Sequence, residues 1–269
     1  MKTFCAALLL FLLGAAGCAP LIAEPTAVLE TASPIPSTTA TIDWFPATAT
    51  ATLAPVIELT PTPTPDLGLG EVLLSDDFAE SGSWQTFQTT AGSAAYGDHE
   101  FTLAVSSSKG YLTSLRSQPD LSNFYLEVSV NPSLCQAGDS YGLLLRALNE
   151  WSYYRWVITC DGQTRLERVK DGFAVLVQDW LYGAQIRPGA EVELRLGVWM
   201  YANQMRFFVD GVEQFSARDP VWTNGVVGFF ARAGGDTPLT VNFSALSVRA
   251  VTASSLPTSS ATPVPSVNP

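Results

Sequence analysis

Side chains that commonly carry chemistry are scarce in this chain of 269 residues. It holds one histidine, His99, so a triad or a histidine-rich metal site has almost nothing to draw on. Only 14% of residues are charged, with 14 lysines and arginines against 25 acidic residues. A basic stripe for nucleic acid or for anionic lipid head groups is thereby excluded. No glycine loop leads to a phosphate-binding lysine, and no dinucleotide fingerprint is present. No segment patterns convincingly as an amphipathic helix, and no apolar run approaches the length of a membrane span.

What is present begins with a signal. Lys2 supplies a positive charge, Phe4 to Leu13 is an unbroken ten-residue apolar run, and small residues lead to Cys18. Ten residues make a helix of roughly 15 Å, about half a bilayer core, which fits a cleaved signal peptide over residues 1–17. Ala15-Ala16-Gly17-Cys18 resembles the lipobox of bacterial lipoproteins, with Ala15 where leucine is usual. The resemblance implies that Cys18 is acylated and that the protein is extracytoplasmic, meeting the membrane through this lipid anchor only.

Residues 18–66 read as the anchor and a disordered stalk. Ala19 to Asp66 holds nine prolines and no Lys, Arg, Gly or Cys, closing on Thr60-Pro61-Thr62-Pro63-Thr64-Pro65. Proline fixes φ and removes donors, so an extended spacer is expected. Residues 252–269 form a second uncharged Ser/Thr/Pro-rich tail of the same character. Between them, 67–251 is long enough for one domain with a full core. It carries 13 basic and 20 acidic side chains, a net charge of −7.

Of four cysteines, Cys5 leaves with the signal and Cys18 is acylated. Cys135 and Cys160 remain, and in an exported protein the simplest expectation is a disulfide. No cofactor or metal site is predicted. Calcium stays open as an alternative that no motif supports: Asp76, Asp77 and Asp219 could ligate an ion, but they read first as solvated turn and strand-end acids.

The periodicity of the domain is two. Phe124-Tyr-Leu126-Glu-Val128-Ser-Val130, Val192-Glu-Leu194-Arg-Leu196 and Met205-Arg-Phe207-Phe-Val209 alternate. Asp161-Gly162, Asp171-Gly172, Asn203-Gln204, Asp210-Gly211 and Asn224-Gly225 supply turn chemistry between such runs. The pattern predicts an all-β, two-sheet antiparallel sandwich or jelly roll. The order of elements adds a resemblance. Asp76-Asp77-Phe78, the meander from Tyr153 to Arg168, Arg206-Phe-Phe-Val-Asp-Gly-Val212, Gly225-Val-Val-Gly-Phe-Phe230 and the closing Val241-Asn-Phe-Ser-Ala-Leu246 look like the concanavalin A-like, laminin-G-type jelly roll. That group includes the domain of keto-disaccharide hydrolases and of family 16 glycosidases. Relatives commonly carry Phe-Asp-Asn where this chain has Phe243-Ser244-Ala245, so no calcium site is carried over.

Hydrolysis in that manner needs two carboxylates roughly 5 to 5.5 Å apart on a strand face. The family's Glu-x-Asp-x-(x)-Glu strand is missing, and Glu191 and Glu193 read as solvent-facing. Gly138-Asp139-Ser140 resembles the first block of a lipase-like family, but no Asp-x-x-His follows. A binding site has more to draw on. A hairpin turning at Asn149-Glu150-Trp151-Ser152 is expected to set Arg146 opposite Arg155 and Leu148 opposite Tyr153. Alternation then puts Arg146, Tyr153 and Arg155 on the face away from the core, with Arg168 joining them if Asp161-Gly162 turns tightly. A pair neutralised by Glu150, Glu167 or Asp179 is the alternative. Trp180, Tyr182 and Trp222 are loop aromatics suited to stacking on a sugar, with Trp199 and Tyr201 as a further pair. The expected function is a non-catalytic surface module binding a glycan. A hydrolase with dispersed carboxylates and a structural or protein-binding domain remain as alternatives.

Overall fold

The computed structural model describes residues 66–189, 192–236 and 238–252. The expected signal and anchor, all but the last residue of the stalk and all but the first residue of the tail lie outside these residues. Within them the chain is all β, in two antiparallel sheets, as the alternation predicts.

The larger sheet contains nine strands. At its centre β6 (Phe124–Leu134) lies between β11 (Leu194–Tyr201) and the long β15 (Leu239–Val251). Beyond β11 come β12 (Gln204–Val209) and β13 (Val212–Arg218). On its far side β15 pairs first with β4 (Phe101–Val105) and later with β1 (Leu69–Asp76). Two short strands, β2 (Phe87–Thr89) and β3 (Gly92–Tyr96), extend the sheet past β4. The smaller sheet orders β10 (Phe173–Tyr182), β9 (Gln163–Lys170), β8 (Ser152–Thr159), β7 (Ser140–Asn149), β14 (Val226–Arg232) and β5 (Tyr111–Leu115).

The inward residues of both sheets make one core. Phe124, Leu126, Val128 and Val130 point in from β6, meeting Leu143, Leu145, Tyr154, Trp156 and Ile158 from the smaller sheet. Phe229 stacks between Trp84 at 4.2 Å and Phe243 at 4.0 Å, so one aromatic column ties distant stretches of chain together. The disulfide forms as expected. Cys135 follows β6 and Cys160 follows β8, so the bridge links the two sheets, with Cα atoms 5.8 Å apart.

Asp171-Gly172 and Asp210-Gly211 each take positive φ at both residues and close the β9–β10 and β12–β13 hairpins. Asn224-Gly225 does not close a hairpin, because β13 and β14 lie in different sheets. There the chain crosses over and presses against β7, where a Cβ on Gly225 would sit 2.4 Å from the Arg146 carbonyl carbon.

Candidate functional site

The turn at residues 149–152 forms, but the register behind it is not the simple alternating one. Leu144 pairs with Arg155 and Leu145 with Tyr154, and the next pair is Asn149 with Ser152. Residues 146–148 thus oppose Tyr153 alone. The irregularity also shows on the other flank, between the pairs Val226/Ala147 and Gly228/Leu144. Arg146 itself adopts φ 47°. This bulge re-aims two side chains. Ala147 turns to the outer face, and Arg146, predicted to stand opposite Arg155, turns inward and is 0% exposed.

Inside, the Arg146 guanidinium donates to the carbonyls of Ala202 (2.8 Å), Trp222 (2.9 Å) and Ser122 (2.6 Å). Its Nε is buried without a partner, and burial lowers its pKa from the ordinary arginine value. Arg146 therefore pins three loops and does not stand on the sheet surface. Trp222 is buried too, edge-on to Tyr154 at 5.1 Å, and offers no stacking face to solvent. Arg168 lies across from Tyr154 and pairs with Asp219, which also accepts from the Tyr154 hydroxyl at 2.7 Å. Asp76 likewise accepts from Trp84 Nε1 (3.0 Å) and pairs with Arg116. These two aspartates are internal anchors, not the solvated acids expected. Asp77 stays exposed beside His99.

The outer face of the smaller sheet is where polar and aromatic groups gather. Across β5, β14, β7, β8 and β9 the outward positions include Tyr111, Phe230, Leu144, Tyr153, Arg155, Arg165 and Glu167. Arg155 sits at the centre. Its Nε donates to Glu167 at 2.7 Å and its Nη1 to the Tyr111 hydroxyl at 3.1 Å, while the Tyr111 and Tyr153 hydroxyls share a hydrogen bond of 3.1 Å. Glu167, 3% exposed, is clamped on its other oxygen by Arg165. The Arg165 guanidinium lies 4.2 Å from the centre of the Trp180 ring, which is 37% exposed. Burial pushes the Tyr111 phenol well above its usual range despite Arg155. Burial alone would lower the Arg155 pKa, but Tyr111 and Glu167 outweigh it and hold it above the ordinary value.

Arg155 divides two clefts on this face. One, of about 250 Å³, is lined by Tyr111, Glu150, Trp151, Tyr153 and the Gly172 turn. The other, of about 100 Å³, is lined by Arg155, Arg165, Arg232, Trp180, Ser140 and Thr159. Arg155 lines both clefts, with Tyr153 in the larger and Trp180 in the smaller. Trp180 and Tyr182 stand in strand β10 and not on the loop expected, and Tyr182, at the end of that strand, is 78% exposed. Tyr111, Arg165 and Arg232 escaped sequence reasoning. The alternation of Arg165 with buried Leu166 was the readable signal for one of them.

Other depressions are less suited to a ligand. One, of about 450 Å³, lies between Trp84, Arg116, Asp120 and Leu148, but Trp84 is buried and presents no open ring. A third group, Glu127, Glu193, Arg195 and Asp210, lines a depression of about 370 Å³ on the larger sheet. Exposed Glu193 fits the solvent-facing reading, and Glu191 lies outside the described residues. Asp139 is buried, receiving the backbone N–H groups of Gln136 and Gly234, which makes it a loop anchor. Trp199 and Tyr201 stack on the outside of the larger sheet, where Trp199 Nε1 donates to Leu67. Among the described residues no group of three or more His, Cys, Asp and Glu is arranged to hold a metal ion.

One edge also stands out. β10 borders the smaller sheet and exposes Phe173 (79%), Val175, Leu176 and Tyr182, beside Trp151 on the neighbouring turn. Exposed apolar side chains on an unpaired edge are unusual in a monomer.

No family model matches the chain, and no curated protein matches it. Solved structures do. The carbohydrate-binding module CBM66 from Bacillus subtilis superposes with a TM-score of 0.51 at 16% identity, over 62% of this chain and 96% of that one. A Bacillus subtilis protein of unknown function with a galectin-like fold gives 0.52 at 12% identity, over 68% and 97%. A Bacillus licheniformis β-glucanase gives 0.50 at 12% identity, over 68% and 99%. At these identities the likeness establishes the fold: a concanavalin A-like, galectin-like jelly-roll sandwich.

Proposed function

We propose that this protein is a non-catalytic carbohydrate-binding module, held at the outer face of a membrane by acylated Cys18 and raised on the stalk of residues 18–66. The observation that carries the binding half is the row of outward groups on the smaller sheet: Tyr111, Trp151, Tyr153, Arg155 and Trp180 around two adjoining clefts. Aromatic faces stack on sugar rings while fixed guanidinium and hydroxyl groups bond to ring oxygens. The fold is one that also serves a carbohydrate-binding module and a β-glucanase, which makes a glycan ligand reasonable without naming it. The glycosidase alternative fares worse on the same face. This face offers Glu150, on the turn lining the larger cleft, and Glu167, but both oxygens of Glu167 are held by arginines, which leaves one carboxylate unclamped. Two free carboxylates are needed.

The test is a glycan array probed with the full-length protein and with Trp180→Ala. Selective binding that weakens about tenfold or more in the variant supports the reading. Silence across soluble and polymeric glycans refutes it. A protein-binding role has its own observation in the exposed β10 edge, where a partner strand would add to the sheet.

A further inference from the structure

Ion pairs elsewhere in the domain are balanced. Arg116 meets Asp76, Arg168 meets Asp219 and Arg206 meets Glu213, one basic group to one acid. The small cleft on the outer face of the smaller sheet breaks that pattern. Arg155, Arg165 and Arg232 line it together, and no carboxylate lines it. Glu167 lies behind two of them and is engaged by both. Among the described residues Arg232 has no ion pair and no side-chain hydrogen bond, and Arg165 Nε is buried with no partner. Three positive groups against one negative leave a local excess in a domain whose net charge is −7. Like charges gathered at a partly enclosed depression repel unless an anion occupies it.

The surrounding groups hold this arrangement in place. The Trp180 ring and Glu167 hold Arg165, while Glu167 and Tyr111 orient Arg155. An oriented guanidinium matches a carboxylate or sulfate geometrically, where a lysine would offer only a point charge. Arg155 also lines the larger aromatic cleft next door, where Glu150 is the one acid, so one ligand can reach both with its anionic group on the side that no carboxylate lines.

Resting on the carbohydrate reading and sharpening it, we infer that the ligand is an anionic saccharide. Its carboxylate or sulfate ester enters the Arg155–Arg165–Arg232 cleft, and its ring lies in the cleft bounded by Tyr111, Trp151 and Tyr153. Neutral sugars leave the cationic cleft unfilled and bind more weakly.

Matched polymers test this with the full-length protein: polygalacturonate against its fully methyl-esterified form, and a sulfated galactan against its desulfated form. Binding is measured by titration calorimetry at low and high salt, beside Arg232→Gln and Arg232→Lys. The expected result is that at least one acidic polymer binds about tenfold tighter than its neutral counterpart. That preference falls with salt, is largely lost in Arg232→Gln and is partly kept in Arg232→Lys. Arg232 has no side-chain partner to lose, and unchanged melting of both variants confirms that they fold. Equal affinity for charged and neutral partners, or a preference unaltered in Arg232→Gln, overturns the charge inference and leaves the carbohydrate reading standing. Competition by free sulfate as strong as by an acidic oligosaccharide also overturns it. Failure to bind any of the four polymers, with silence on the array, defeats both.

Discussion

Replacing Arg146 by methionine is the sharpest probe of how this domain is held together. The guanidinium is wholly buried and ties the carbonyls of Ser122, Ala202 and Trp222, which come from three separate loops. A hydrogen bond to a charged donor contributes about 1.5–3 kcal/mol net, which for three bonds points above 4 kcal/mol. Against this stands the cost of burying a cation with no carboxylate among its hydrogen-bond partners, several kcal/mol by itself. The same burial lowers the Arg146 pKa from the ordinary arginine value. The per-bond figure already includes part of the burial cost, so the three bonds at its lower end, less the remainder, leave a net loss of about 3 kcal/mol. For a domain of this size each kcal/mol lowers the melting temperature by about 2–4 °C, so the variant melts about 6–12 °C below the parent. Circular dichroism melts and urea titrations on the same samples measure both quantities. Arg146→Lys keeps the charge but reaches fewer carbonyls, and recovers part of the loss. A shift below about 1 kcal/mol in Arg146→Met would refute the reasoning. So would a drop in glycan affinity larger than that of Trp180→Ala, measured well below the melt, because it would return Arg146 to the binding face.

Four further outcomes are expected. Breaking the disulfide with Cys135→Ser and Cys160→Ser removes a closure of 25 residues and costs about 3 kcal/mol in the chain-entropy model, read as a lower urea midpoint. Tyr154, pushed up to about 12 chiefly by burial, stays protonated in the fold above the usual tyrosine value of about 10. The stability it contributes is complete below pH of about 10 and is lost as pH rises through about 12. Melting temperatures taken across alkaline pH should fall there, and less so in Tyr154→Phe. Glu167→Gln leaves Arg155 and Arg165 facing each other across a neutral amide, destabilising the domain by about 2–3 kcal/mol; an unchanged melt would mean the clamp contributes nothing. Cys18→Ser should move the protein from the membrane fraction to the medium, and retention on the membrane would rule out the lipid anchor.

The sheets were legible because period-two patterning is written wherever one strand face is buried. Phe124 to Val130 and Met205 to Val209 alternate in sequence and in space. The Asp-Gly dipeptides at 171–172 and 210–211 supply the positive φ their hairpins take. The site was legible only in places. Tyr153 and Arg155 follow from alternation along β8, but alternation fails across the bulge at Arg146. An arginine at φ 47° carries no sequence signal, since that conformation is rare for a bulky side chain. One inserted position then reversed the assignments of Arg146 and Ala147 together. Arg232 and Tyr111 were hidden for a different reason. They lie on β14, which pairs with β7, and on β5 beyond it, strands brought there by crossings between sheets that local patterning does not encode.

The pairing of β1 with β15 has a mechanical consequence. Leu69 lies against Val251, and the Thr252 amide donates to the Gly68 carbonyl, so the chain enters the sandwich at the open end of an antiparallel pair. Tension on the chain ahead of Gly68, opposed by any hold on the other sheet, loads that pair as a zipper. Its hydrogen bonds break in succession, starting at Leu69, and are not strained all at once. The two register slips between Leu69 and Leu74 weaken the first steps further. β1 is therefore where the molecule yields first under load. The long seam of β15 against β6 lies behind it and stays closed, so stretching would lengthen the leader by one strand without dismantling the face that holds on.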